Sequence, residues 1–249
     1  MTPRILIIAG SDSGGGAGIQ ADIKTVTMLG GHAMTAITAV TAQNTLGVHG
    51  IHLVPPAMVI AQARACLDDI GVDAVKIGML GSAETAHAVA DLLAALDLPI
   101  VFDPVMVATS GDTLADAPTI AAFERLMRLA TVVTPNLPEL AALGGEAAVL
   151  AKGCTVLVKG GHGGGDDLID ELILAGGERR RWQDSRIATR HTHGTGCTLA
   201  SAIAVGLARG DRLDLAVASA RRFVRAALLA APGLGQGHGP MGQQAVRTF

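Results

Sequence analysis

The chain has 249 residues, of which 49% are hydrophobic and only 16% charged, which suits a substantial buried core and excludes long disorder. A formal net charge of −3 leaves no basic footprint for nucleic acid, and four Phe, one Trp and no Tyr leave few rings for stacking bases. Three scattered cysteines (Cys66, Cys154 and Cys197) are not a disulfide framework, and the apolar run at 5–9 is too short for a signal-sequence core or a membrane span. With no repeat and no Pro- or Ser-rich linker, a single cytoplasmic domain over 1–249 is the expectation.

"RILIIA" (4–9) reads as a buried strand, and helical spacing of apolar residues follows over 19–29. Between them lies the glycine-rich "AGSDSGGGAGIQAD". It is not a dinucleotide fingerprint: with Gly14 and Gly16 in place, position 19 would need Gly or Ala and is Ile19. Nor is it a phosphate-binding P-loop, because no Lys appears until Lys24. It is either a tight strand-to-helix turn or a bare backbone that approaches a small ligand. "TAVTAQNTLGV" (38–48) then ends a strand of small residues with Gln43 and Asn44. Their amides donate and accept, which suits a heteroaromatic ring with adjacent amino and ring-nitrogen groups, or equally the capping of a loop.

Further along, strands are expected at 73–78, 99–103, 131–134 and 155–160, alternating with helices at 57–70, 83–96 and 119–129. Near-continuous Val, Ile and Leu in the strands suits a parallel sheet covered on both faces, and the alternation predicts a three-layer α/β/α fold. "LIDELIL" and "RRRWQDSRIA" form a predicted hairpin across "AGGE", followed by Ala-rich helices at 198–208 and 213–231. From about 232 the chain is expected to be loosely ordered.

In such sheets ligands gather at the carboxyl ends of the strands, and the unusual motifs of this chain fall there. Asp103 in "VFDPVMV" and Glu139 in "TPNLPEL" are placed to hold Mg²⁺, with Asn136 as a neutral contact, although a lone strand-end Asp also serves as a helix cap. Lys159 in "VLVKGGH" leaves a buried strand beside two glycines, where a cation reaches phosphate unobstructed. In "HTHGTGCTLAS", Gly194 and Gly196 leave N–H groups bare at a helix start, an anion site. Cys197 in that field is expected to have a lowered pKa and to be partly thiolate near neutrality, beside an attacking hydroxyl; the alternative is a buried structural thiol.

Taken together, "AGSDSGGGAGIQADIKT", "TAQNTLGV", "KIGML", "DPVM", "TPNLPE", "KGGH" and "THGTGCTLAS" closely resemble the hydroxymethylpyrimidine/phosphomethylpyrimidine kinases of thiamine biosynthesis, in the ribokinase-like superfamily. The resemblance runs from about residue 4 to about 230. It implies ATP- and Mg²⁺-dependent phosphorylation of 4-amino-5-hydroxymethyl-2-methylpyrimidine, then of its monophosphate, by a homodimer. Carried over by motif, Gln43 and Asp22 would hydrogen-bond the pyrimidine, with Gly10, Met79 and Val105 near it. Asp103 and Glu139 would serve the metal, and Asn136, Lys159 and His193 would bind ATP. Gly194, Thr195, Gly196 and Cys197 would form the catalytic anion hole. Two departures stand out: His191 precedes "THGTGC" where the resemblance leads to Asn, and the segment between Glu139 and Val156 is short. The other readings are a pyridoxal or pyridoxine kinase, a thiol hydrolase using Cys197 and His193, and a pyrimidine sensor without turnover.

Overall fold

Strand β1 (Arg4–Asp12) shows why its sequence lacks polar alternation. Ile5, Ile7 and Ala9 enter one apolar layer while Leu6 and Ile8 enter the other, so every side chain of the run is buried. A strand covered on both faces can be apolar throughout. The computed structural model describes residues 1–108, 111–162 and 165–247. It adds β2 (His32–Gln43), β3 (Val48–Leu53), β4 (Ala74–Ile77), β5 (Ile100–Phe102), β6 (Val132–Val133), β7 (Thr155–Val158), β8 (Asp167–Ile173) and β9 (Arg179–Ser185).

These strands form one sheet in the order β3-β2-β1-β4-β5-β6-β7-β8-β9. From β2 to β7 all neighbours are parallel, while β3 lies antiparallel on β2, and β8 and β9 continue antiparallel from β7. The helices are α1 (Gly18–Met28), α2 (Pro56–Asp69), α3 (Ala83–Leu93), α4 (Ala117–Leu129), α5 (Leu137–Ala142), α6 (Glu146–Leu150), α7 (Thr195–Ala208) and α8 (Leu213–Leu229). Helices α2, α3 and α4 cover one face, where Phe123 meets Phe102 edge-on at 5.1 Å between ring centroids. Helices α1, α7 and α8 cover the other. The fold is therefore the three-layer α/β/α arrangement with a mostly parallel sheet. Among the described residues, no helix is long and apolar enough to cross a membrane.

Two parts of the chain differ from expectation. Helix α7 starts at Thr195, three residues earlier than its apolar spacing indicates, so the Thr-Gly-Cys run is its first turn. Its N-cap, Gly194, has φ +83°, and a Cβ there would overlap the Gly16 carbonyl, so only glycine lets the two loops meet. The tail is also not loose. Met241 and Val246 are buried against Phe223 and Ala227, and the Gly242 N–H donates to the Ala227 carbonyl at 2.9 Å. His238 N–H donates to the Thr45 carbonyl at 2.9 Å and His193 N–H to the Gly239 carbonyl at 3.2 Å. Few apolar residues punctuate the glycines of this segment, but backbone pairing and the buried side chains of Met241, Gln243 and Val246 hold it down.

Candidate active site

A cavity of about 790 Å³ opens beyond the carboxyl ends of the parallel strands. At one end β1 runs into the glycine-rich loop, which folds around Asp12. Its Oδ2 accepts the N–H groups of Gly16 (2.9 Å) and Ala17 (2.8 Å), and its Oδ1 that of Gly14 (2.8 Å). The Nε2 of His193 lies 3.0 Å from Asp12 Oδ2. Burial pushes the Asp12 carboxyl up, but the His193 ring and the N–H groups of Ala17 and Gly14 outweigh it and hold the group below the ordinary carboxylate range. Gln43, at the end of β2, places its amide 3.2 Å from His193 Nε2 and 3.2 Å from Thr41 Oγ1. Gly10, Met79 and Val105 line the same cavity. A Cβ on Gly10 would come within 3.3 Å of the Met79 thioether, so the bare backbone there makes room for that side chain.

The other end is built from β5, β6 and β7. Asp103 follows β5 and accepts at Oδ1 from Thr134 Oγ1 (2.9 Å) and Lys159 Nζ (2.7 Å). Lys159 also lies 3.9 Å from Glu139 Oε2. Burial works against the Lys159 charge, but Asp103 and Glu139 more than offset it and raise its pKa. For Glu139 burial is the largest influence and raises the pKa. Asn136 and Glu139 form a capping box at the start of α5, with Asn136 N–H to Glu139 Oε2 and Glu139 N–H to Asn136 Oδ1 both at 2.8 Å. The first turn of α7 faces this group. A Cβ on Gly196 would come within 3.2 Å of both Asp103 Oδ2 and Lys159 Nζ, so the glycine leaves a bare cradle there.

Most sequence-derived candidates thus converge on one cavity, whose wall includes Gly10, Gln43, Met79, Asp103, Val105, Asn136, Glu139, Lys159 and 193–197. Three expectations are corrected. Asp22 does not face the cavity: it is fully buried, bound by Lys76 Nζ at 2.9 Å and Ser201 Oγ at 2.7 Å. His193 sits on Asp12 and the glycine-rich loop beside Gln43, rather than beside Asn136 and Lys159. Cys197 is not a ready thiolate. Burial pushes its thiol up to about 11, with Lys76 pulling down and Asp22 and Asp103 pushing further up, so desolvation overrides the helix terminus.

Two residues carry more than the sequence reading gave them. Asp12 organises the glycine-rich loop. Lys76, wholly buried on β4, keeps its charge because Asp22, its partner at 2.9 Å, and Asp103 outweigh the cost of burial. A lysine inside the apolar "DAVKIG" was the available signal, since such a group needs a buried partner.

The sequence model of the phosphomethylpyrimidine kinase family matches residues 12–242. A hydroxymethylpyrimidine/phosphomethylpyrimidine kinase from Streptomyces coelicolor is 49% identical, over 96% of this chain and 93% of its own. A Bacillus subtilis pyridoxal kinase solved with ADP superposes with a TM-score of 0.91 at 32% identity, covering 100% of both chains. A phosphomethylpyrimidine kinase from Clostridium difficile superposes with a TM-score of 0.78 at 34% identity, covering 91% of this chain and 99% of that one. The protein belongs to the phosphomethylpyrimidine kinase family.

Proposed function

We propose that this protein transfers phosphoryl groups from ATP, first to the hydroxymethyl group of 4-amino-5-hydroxymethyl-2-methylpyrimidine and then to the resulting monophosphate, for thiamine biosynthesis. The observation that carries this reading is a single cavity with an amide-lined ring end and a lysine-and-carboxylate end, joined by the first turn of α7. Gln43 supplies donor and acceptor to the ring, and Met79 and Val105 supply apolar contact. Lys159 and the N–H groups at the start of α7 stabilise charge on the transferring phosphoryl oxygens. The donor chemistry of Asp103 and Glu139 fits Mg²⁺, which takes one or two carboxylates together with phosphate oxygens. When bound, the metal would neutralise phosphate charge.

Cys197, at the junction of the two ends, is the proton acceptor in this reading: the thiol first releases its proton to solvent in the open cavity, and the thiolate then takes the proton of the attacking hydroxyl. Its thiolate is scarce at neutral pH but strongly basic once formed, and a loose transition state makes little demand on a base before the new bond develops. The same raised pKa counts against a thiol hydrolase, which needs a ready thiolate.

The kinship with pyridoxal kinases supports the second reading, phosphorylation of pyridoxal, but at 32% identity against 49% for the pyrimidine kinase. Incubation with ATP and each alcohol, followed by mass analysis, separates the two. The pyrimidine should gain one and then two phosphates; a single phosphate on pyridoxal and none on the pyrimidine would select the second reading. The proposal extends to a cytoplasmic homodimer, supported by the half-exposed Val40, Ile51 and Leu53 at the β2–β3 edge. Light scattering on the purified protein checks the dimer.

A further inference from the structure

The hydrogen-bond polarity around Gln43 has one consistent solution, and it assigns a task to His193. The Asp12 carboxylate already takes three backbone N–H groups, and in its ionised form it has no hydrogen to give. The Nε2 of His193, 3.0 Å from Asp12 Oδ2, therefore carries a hydrogen. Gln43 places its nitrogen 3.2 Å from that same Nε2 and its oxygen 3.2 Å from Thr41 Oγ1. In this orientation two N–H groups face each other. The single hydroxyl hydrogen of Thr41 must also serve both Gln43 and the Ser11 carbonyl, 2.9 Å away. Turning the amide over removes the clash of the two N–H groups and leaves one shared hydrogen in place of it. Thr41 then donates to Ser11, the Gln43 nitrogen donates to Thr41, and the His193 Nε2 hydrogen is shared between Asp12 Oδ2 and the Gln43 oxygen. The two ends of an amide have the same shape, so the network decides which atom lies where.

We propose that His193, held by Asp12, is a positioning residue that locks the Gln43 amide with its oxygen toward the imidazole and its nitrogen toward Thr41. The order of donor and acceptor offered to the ligand is thereby fixed. The imidazole itself is well held: His193 is 5% exposed, and a Cβ on Gly16 would collide with it. Its backbone N–H is held by the Gly239 carbonyl at 3.2 Å.

This lock rests on the pyrimidine reading above for its functional meaning. A free glutamine can flip to serve either a 4-aminopyrimidine or its 4-oxo counterpart. A locked glutamine cannot. Its nitrogen keeps a second hydrogen and its oxygen a second lone pair, matching a ring nitrogen beside an exocyclic amine. The 4-oxo compound presents a ring N–H beside a carbonyl, the reverse order.

Two measurements test the lock. Long-range ¹H–¹⁵N correlation on the ligand-free protein reads the His193 tautomer without any substrate; a hydrogen on Nε2 is expected, and a bare Nε2 overturns the proposal. Calorimetric titration with the aminopyrimidine alcohol and its 4-oxo counterpart reads the selectivity. The wild-type protein should favour the amino compound by about 10-fold or more, the range for leaving a buried partner unpaired. In His193→Leu that ratio should fall to within about 2-fold of unity, as expected for an amide free to flip. His193→Gln, which returns an N–H toward Asp12 and Gln43, should restore most of the ratio. Equal weakening of both ligands in His193→Leu, with the ratio unchanged, would mean that the ring only props the site. If neither pyrimidine binds the wild type while Nε2 carries its hydrogen, the pyrimidine reading fails and the hydrogen-bond polarity stands.

Discussion

The two ends of the cavity handle charge in different ways. At the ring end, the Asp12 carboxylate is spent on the protein itself, on three backbone N–H groups and one imidazole. At the lysine-and-carboxylate end, proposed above to take the phosphates, Asp103 and Glu139 are paired with Lys159 around a bare glycine, so an incoming anion and cation can re-pair them. A closed network gives shape and hydrogen-bond order, which is what selecting a ring requires. An open set of opposite charges gives the means to hold a changing charge, which is what phosphoryl transfer requires.

Two lysines on internal strands of the sheet, Lys76 within β4 and Lys159 just after β7, divide the two kinds of charge most sharply. Both lie along the cavity wall, but Lys76 is wholly buried on Asp22, which Ser201 also holds, whereas the Lys159 side chain is 14% exposed. Lys76→Met strands a buried carboxylate and should lower the unfolding free energy by about 3–5 kcal/mol in urea titration. Lys159→Ala should instead cut kcat/KM for ATP by roughly 10²–10³-fold, as loss of a charge-stabilising group does. Its effect on pyrimidine affinity should be small. If the two variants behave alike, the division between closed and open ends is wrong.

Cys197→Ala should reduce turnover by about 10²-fold, the lower end for loss of a positioned base. Because its pKa is raised, the thiolate fraction is low at neutral pH and grows through about 11. Iodoacetamide labelling of Cys197, followed by peptide mass analysis, should therefore keep accelerating well past the pH at which an ordinary thiol levels off. A plateau near neutrality would restore the ready thiolate. At the ring end, Gln43→Ala should weaken pyrimidine binding about 5- to 150-fold, with ATP affinity kept, from the loss of its paired donor and acceptor. Equal loss of both ligands in calorimetry would show a damaged site.

The sheet was legible where both of its faces are covered. Strands β1, β4, β5, β6 and β7 are apolar runs because burial on two sides demands it. Strand β3 was not, because five of its six residues are exposed at the sheet edge and carry no apolar pattern. Helices α5 and α6 are too short for a helical period to show, although the Asn136–Glu139 capping box was present in "TPNLPE". The candidate site was legible as motifs at strand ends, since topology brings those ends together. What sequence could not convey was burial. A helix terminus argues for a thiolate at Cys197, and only the packed structure shows desolvation winning. Asp22 likewise reads as a ligand group until Lys76, 54 positions away, is seen to enclose it.

In the proposed reaction one cavity serves two successive acceptors, an alcohol and then a phosphate monoester. Supplying the pre-formed pyrimidine monophosphate with ATP and Mg²⁺, and following the reaction by ³¹P NMR, tests it without help from the first step. The monoester signal should give way to the paired signals of a diphosphate, and chelation of the metal should stop the change. A monoester signal that persists while the pyrimidine alcohol is phosphorylated under the same conditions would contradict it.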